Sequence, residues 1–333
     1  MREIRVTGNE AGQRLDKLLA KYLNEASKSF LYKMLRKKNI KLNGKKAQGS
    51  EKLSEGDVVA LYLAEDTIQK FSKKTGIVRN AVSQKLDIIY EDQNILLINK
   101  PSGMLSQKAK PEDISLVEIL TGYLLESGAL YEEELLTFRP GICNRLDRNT
   151  SGLVAAGKSL AGLQEMSRLF KERSLKKYYL CIVKGNIKES VHIRGYLVKD
   201  EVKNTVTVST EEMPDGQPIE TAYSPVWSNG EMTLLEVHLM TGRTHQIRAH
   251  LASQGHPLAG DCKYGDPAWN QRFKEKYGLR NQLLHSYRLC MPVCEGVLAP
   301  MSEKAYTAPL PRQFQRILKG EGADHVNLEF QRA

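Results

Sequence analysis

The stretch NRLDRNTSGLVAAG, residues 144–157, sets one carboxylate between two arginines, closes in a Thr-Ser-Gly turn signal and runs into an apolar segment. If the chain is extended around Leu146, side chains alternate, so Arg145 and Asp147 share a face while Leu146 points into the core. Arginines on either side favour an ionised carboxylate. Such a group suits a nucleophile, a base or an electrostatic stabiliser, and makes a poor general acid. Asp147 also reads as an ordinary loop carboxylate that hydrogen-bonds the backbone of the following turn, with Thr150 and Ser151 helping. The motif alone leaves both open.

A second cluster, TGRTHQIRAHL at residues 241–251, follows the strand-like MTLLEVHLM directly. If the chain is helical from Gln246 onward, Arg248 faces a pocket while Ile247 and Leu251 pack inward. His245, His250, His256, Asp261 and Cys262 lie near one another and raise the idea of a metal site. The two first histidines are five positions apart, however, and a helical zinc pair needs i, i+4. No metal is expected. Lys177-Tyr178-Tyr179 opens the strand-like KKYYLCIVKG. Tyr179 reads as half-buried core, as a stacking platform for a base, or as a proton acceptor or donor.

The remaining chain frames these clusters. In RLDKLLAKYL, Leu15, Leu18, Leu19 and Tyr22 form one helix face, and in SKSFLYKMLRKK so do Phe30, Leu31, Met34 and Leu35, with Ser27 or Ser29 as N-cap. Asn43-Gly44 marks a hairpin turn. Residues 1–63 carry 14 Lys and Arg against 7 Asp and Glu, most of the net charge of +10, which points to a polyanionic partner. Residues 65–83 show no steady period and are expected to be a linker. Pro101 stops the strand that ends at Asn99-Lys100, and Ser115 with Glu118 forms a capping box. Strands recur between single helices without a regular βαβ cadence, which predicts an α+β fold. No glycine-rich phosphate loop is present, so no nucleotide cofactor has a cradle. The chain has no apolar run of transmembrane length, and its N-terminus lacks the apolar core of a signal peptide. The expected compartment is therefore the cytoplasm.

NRLDRNTSG resembles the signature of the RluA family of pseudouridine synthases. INKPSG, KKYYLCIVKG, TGRTHQIRAHLASQGHPLAGDCKYG and LLHSYRL resemble further segments of that family in the same order. The resemblance covers residues 84–318, and residues 12–60 are similar to an S4 RNA-binding module. One position departs: the family's His before Arg-Leu-Asp is Asn144, which can hydrogen-bond but cannot titrate.

The resemblance implies an N-terminal S4-like α/β domain over 1–64, the linker over 65–83, a synthase domain over 84–318 with a mixed, largely antiparallel central sheet flanked by helices, and a polar tail over 319–333. It implies isomerisation of uridine to pseudouridine in structured RNA, without cofactor or metal. Within the family it points to the C/D-like group, which acts on 23S ribosomal RNA. Asp147, Tyr179 and Arg248 would be catalytic. Arg145, Ile247 and Lys177 would contact the flipped nucleotide, and Arg14, Lys33, Arg36, Lys37 and Lys38 would grip RNA. A transfer RNA target stays possible on this basis. No protein partner and no membrane are implied, and a monomer is expected. Asn144 also invites an alternative, a non-catalytic RNA-binding or ribosome-assembly protein with a degenerate synthase domain.

Overall fold

The computed structural model describes residues 1–72 and 85–323. The N-terminal residues gather around their own core. β1 (Arg2–Arg5), β2 (Ile40–Leu42), β3 (Lys45–Lys46) and β4 (Val58–Leu61) make a sheet in the order β1-β4-β2-β3. α1 (Leu15–Tyr22) buries Leu15, Leu18, Leu19 and Tyr22 against it, and α2 (Lys28–Arg36) buries Leu31, Met34 and Leu35. Ser27 caps α2, its hydroxyl accepting from the Phe30 amide at 3.2 Å. The Asn-Gly turn is formed as expected, with both residues left-handed at φ 50° and 73°.

Residues 65–71, expected to begin the linker, instead form a helix, α3 (Glu65–Phe71). Ile68 is fully buried in the module's core, and the Phe71 ring packs on Phe30 with centroids 4.7 Å apart. Few residues of this short helix face inward, so the polar remainder hides its period. The rest of the expected linker, 73–83, lies outside the described residues.

The larger body carries β5 (Ile88–Glu91), β6 (Ile95–Lys100), α4 (Leu116–Glu126), β7 (Gly141–Ile142), β8 (Ser151–Gly157), α5 (Leu160–Glu172), β9 (Lys176–Lys184), β10 (Val191–Asp200) and β11 (Thr205–Ser209). It continues through β12 (Gln217–Ser228), β13 (Met232–Leu239), α6 (Gln246–Ser253), α7 (Pro267–Tyr277), β14 (Leu284–Cys290), β15 (Ala305–Thr307) and α8 (Arg312–Gly320). The strands join in one sheet, ordered β11-β10-β12-β13-β9-β14-β8-β6-β5, with β15 on β14 and β7 on β8. The pairings are antiparallel except between β8 and β14. This is the expected α+β architecture.

The apolar run SGLVAAG is β8, buried along its whole length between β6 and β14. Burying Leu153 and Val154 there contributes about 1.5–3 kcal/mol each. The glycine of the Thr-Ser-Gly signal has a steric cause. Gly152 sits at φ 111°, and a Cβ added to it would lie 2.2 Å from the Ser286 carbonyl oxygen on β14. One face of the sheet packs Tyr179, Leu235 and Val237 against Ile247 and Leu251 of α6. The other packs Leu180, Ile182 and Leu234 against Trp269 and Phe273 of α7 and Phe314 and Ile317 of α8.

The polar tail starts later than expected. α8 runs to Gly320, Ala323 is buried, and Glu321 accepts from the Tyr277 hydroxyl at 2.8 Å. Residues 319–323 thus belong to the body, and 324–333 lie outside the described residues. The N-terminal module is clasped to the body through Glu10, which is 4% exposed and accepts from the Thr137 hydroxyl at 2.6 Å. Leu136 packs against the module's core beside it. Among the described residues, no helix is long and apolar enough to cross a membrane.

Candidate active site

The loop before β8 is held by Lys100, which stands in the family-like segment INKPSG, and by Ser106, which no sequence pattern singles out. Lys100, at the end of β6, is fully buried and donates to the carbonyls of Pro101, Met104 and Arg148 at 3.0, 2.9 and 3.1 Å. Burial pulls this lysine down to about 7, with the charge of Asp147 opposing. Ser106 bridges both backbone groups of Leu146, accepting from its amide at 3.1 Å and donating to its carbonyl at 2.7 Å. Leu146 is thereby fixed inward, and Asp147 on the alternate face turns into a cleft of about 450 Å³.

Arg248 meets Asp147 there. It projects from the first turn of α6, and its Nη1 donates to Asp147 Oδ2 at 2.9 Å across 101 residues of sequence. The rest of its guanidinium is clamped from behind. Nε and Nη2 donate to the two oxygens of Asp261 at 2.7 and 2.8 Å, and the Asp261 side chain is fully buried. Burial opposes the charge of Arg248. The hydrogen bonds and charges of Asp261 and Asp147 outweigh it, and the arginine is raised above its ordinary value. Burial likewise opposes the charge of Asp261, but Arg248 and the amides of Lys263 and Tyr264 hold it below the usual carboxylate range.

The expected electrostatics therefore come from a different arginine. Arg148 beside Asp147 is turned away and donates to the Gly103 carbonyl at 3.1 Å. Arg145 is exposed at the cleft mouth and, among the described residues, has no ion-pair partner.

Tyr179 lies on the cleft floor with Leu239, Ile247 and Leu284. Burial pushes its phenol up to about 12, with Ser286 opposing and Asp147 reinforcing, so the ring is neutral at neutral pH. Lys177 lines the same wall and is pulled below its ordinary value by burial and then by Arg173. All six residues expected at the reaction site (Asp147, Tyr179, Arg248, Arg145, Ile247 and Lys177) line this cleft.

Asn144 explains itself structurally. Its Oδ1 accepts from the Ala155 amide at 2.8 Å and its Nδ2 donates to the Leu153 carbonyl at 3.3 Å. The side-chain amide thus mimics a neighbouring strand along β8, a task that needs no titratable group. Three residues of the metal idea are otherwise engaged. Asp261 is taken by Arg248, His250 bonds Thr221 at 3.1 Å, and His256 bonds the Lys184 carbonyl at 3.0 Å. Asp261 is thus an arginine's partner where its neighbours in sequence suggest a metal ligand. Tyr264, whose ring lies 5.2 Å from the Arg248 guanidinium, is a site residue that sequence reasoning missed. Both stand in the segment GDCKYG, and its likeness to the family is the signal that could have found them.

On the N-terminal module, Lys33, Arg36, Lys37 and Lys38 are exposed together at the C-terminal end of α2, where cations also complement the helix dipole. Arg14 is engaged in an ion pair. Its guanidinium chelates Asp16 at 3.0 and 2.9 Å, and Asp16 is also held by the Tyr32 hydroxyl at 2.9 Å.

The chain is similar to known proteins over both parts. A family model described as RNA pseudouridylate synthase matches residues 94–253, and the S4 domain model matches 13–59. A ribosomal large subunit pseudouridine synthase C of Vibrio vulnificus is 33% identical over 308 residues, covering 88% of this chain and 91% of that protein. Its namesake in Vibrio cholerae is 31% identical over 318 residues, covering 92% and 93%. Among solved structures, human RNA pseudouridylate synthase domain containing 4 aligns with a TM-score of 0.56 at 23% identity, covering 70% of this chain and 91% of that one, a likeness of fold.

Proposed function

This chain belongs to the RNA pseudouridylate synthase family, and from that premise we propose that it isomerises uridine to pseudouridine in large-subunit ribosomal RNA with Asp147 as the catalytic carboxylate. The observation that carries this reading is the Arg248–Asp147 contact of 2.9 Å at the base of a cleft floored by a neutral Tyr179.

The reaction is balanced within its substrate. The N–C glycosidic bond breaks, the uracil turns, a C–C bond forms through C5, and the C5 proton leaves while the freed nitrogen gains one. No electron carrier is needed. Asp147 attacks the anomeric carbon or takes the 2′ proton; either step requires a charged oxygen facing the ribose. Arg248 occupies Oδ2, which leaves Oδ1 for the substrate. Tyr179 stacks on the uracil, and Ile247 packs against the ring. Extruding the base costs a few kcal/mol. Arg145, exposed at the mouth, has a flat guanidinium that fills the vacated stack or binds the flanking phosphate. Lys177 takes a phosphate or base oxygen. We place the enzyme in the cytoplasm, working as a single chain.

The test is incubation with a large-subunit ribosomal RNA transcript labelled with tritium at uridine C5. Release of tritium together with pseudouridine in the digest is expected. RNA cleavage, or unchanged uridine, would sink the proposal.

Lys33, Arg36, Lys37 and Lys38 are proposed to hold RNA through its phosphates. Changing these four to glutamine should lower the slope of log K against log salt by about 3, at about 0.7 for each phosphate no longer neutralised. Turnover on a short uridine-containing fragment bound by the cleft alone should stay the same. An unchanged salt slope on the full transcript would remove the module from RNA binding.

A further inference from the structure

His245 lies within the second of the two motifs that make the cleft, yet it takes no part in the chemical steps so far assigned. It is the N-cap residue of α6, held left-handed at φ 54°, a region in which non-glycine residues are uncommon. This conformation carries its ring to the cleft wall, where Nε2 stands 3.8 Å from Asp147 Oδ2 and the side chain is 8% exposed. The other ring nitrogen, Nδ1, lies 2.9 Å from the hydroxyl of Tyr264.

The direction of that hydrogen bond follows from its surroundings. The Tyr264 oxygen already accepts the backbone N–H of Val206 at 2.8 Å. A phenol has one proton to give, and among the described residues no other acceptor lies within hydrogen-bond reach of it. Nδ1 of His245 is thus the acceptor available to that proton, and Nε2, which faces the Asp147 carboxylate, is the nitrogen better placed to carry the hydrogen of the neutral ring. Burial keeps the ring neutral, pulling it below its ordinary value; Asp147 opposes this, and Arg248 and Lys263 reinforce it.

We infer that Tyr264 and His245 form a positioning relay, in which the β11 backbone orients the Tyr264 hydroxyl, Tyr264 fixes His245 as its Nε2–H tautomer, and that N–H steers Asp147. The inference rests on the assignment of Asp147 as the reacting carboxylate. At 3.8 Å the N–H is beyond hydrogen-bond length, so its pull is electrostatic until the site tightens around substrate. Arg248 and His245 then converge on the same oxygen, Oδ2, and the carboxylate cannot rotate Oδ1 away from the ribose. The relay also ties the outer edge of the sheet to the reacting group, because Val206 belongs to β11.

The experiment combines kinetics with nitrogen NMR of labelled histidine. In the wild type, His245 should show a protonated Nε2 and a bare Nδ1. Tyr264→Phe keeps the ring beside Arg248 and removes the hydroxyl. It should give a mixture of tautomers and lower kcat about tenfold, the worth of one lost hydrogen bond, with KM little changed. His245→Gln places an amide N–H near the Nε2 position and should retain most activity, whereas His245→Ala should lose as much as Tyr264→Phe. This pair keeps the proposal testable if Tyr264→Phe folds poorly. A wild-type Nδ1–H tautomer, or wild-type kcat in both Tyr264→Phe and His245→Ala, would overturn the relay. Asp147→Asn separates the two failures: if it is inactive while the relay variants are normal, only the relay is wrong. If it is active, the assignment of Asp147 fails and the relay fails with it.

Discussion

Asp147→Asn should abolish pseudouridine formation while leaving the protein folded and bound to RNA. The substitution preserves shape and removes the charged oxygen that either chemical route requires. A loss of kcat on the order of 10⁴-fold or more is expected, above 5 kcal/mol in the barrier at about 1.4 kcal/mol per tenfold. Stability should change by no more than about 1 kcal/mol, because the side chain is 26% exposed and Arg248 keeps its buried partner Asp261. RNA affinity should hold within about threefold, since phosphate contacts made elsewhere dominate binding. Tritium release and a filter-binding titration on one preparation measure both quantities. Activity near the wild type would remove Asp147 from the reaction.

Asp261→Ala should have the largest effect on the fold of any change at the site. It leaves the Arg248 guanidinium, whose side chain is 5% exposed, with a single partner at the cleft. Stranding a buried charge costs about 3–5 kcal/mol, read as a lower urea midpoint with an unchanged slope. Activity should fall as well, because an arginine without its rear clamp no longer holds Asp147 Oδ2 in register. Adding Arg248→Met removes the stranded charge, so the double variant should recover most of the stability and remain inactive. If the double variant is as unstable as Asp261→Ala, charge burial is not the cause.

The local structure was legible where one residue type has one use. Asn43-Gly44 specifies a left-handed turn, and Leu15, Leu18, Leu19 and Tyr22 specify a buried helix face. The cleft residues were legible because their segments resemble a known family and because Asp147 alternates with a core leucine. Asp261 was not, since a buried aspartate next to histidines reads equally as a ligand or as an arginine's partner. The choice depends on which side chain arrives from 13 residues away. Tyr264 was missed for a related reason. Its partners come from two stretches, Val206 on one and His245 with Arg248 on the other, and no local period ties either to Tyr264. Asn144 looked like a defect in a reactive motif and is a strand-edge bond to Leu153 and Ala155. α3 was hidden because so little of its surface is apolar.

The placement of β14 decides when this protein begins to exist as an enzyme. β8 and β9 follow closely in sequence but do not touch; β14 is inserted between them. The join is made by bonds such as Ser151 to His285, 134 residues apart. A ribosome making this chain therefore releases Asp147, Tyr179 and Arg248 before the strand that joins β8, which follows the Asp147 loop, to β9, which carries Tyr179. Closing so long a loop is slow compared with forming helices and hairpins. A product cut short before β14 is therefore expected to carry Asp147, Tyr179 and Arg248 and to show no pseudouridine formation, which the tritium-release measurement on such a truncation checks.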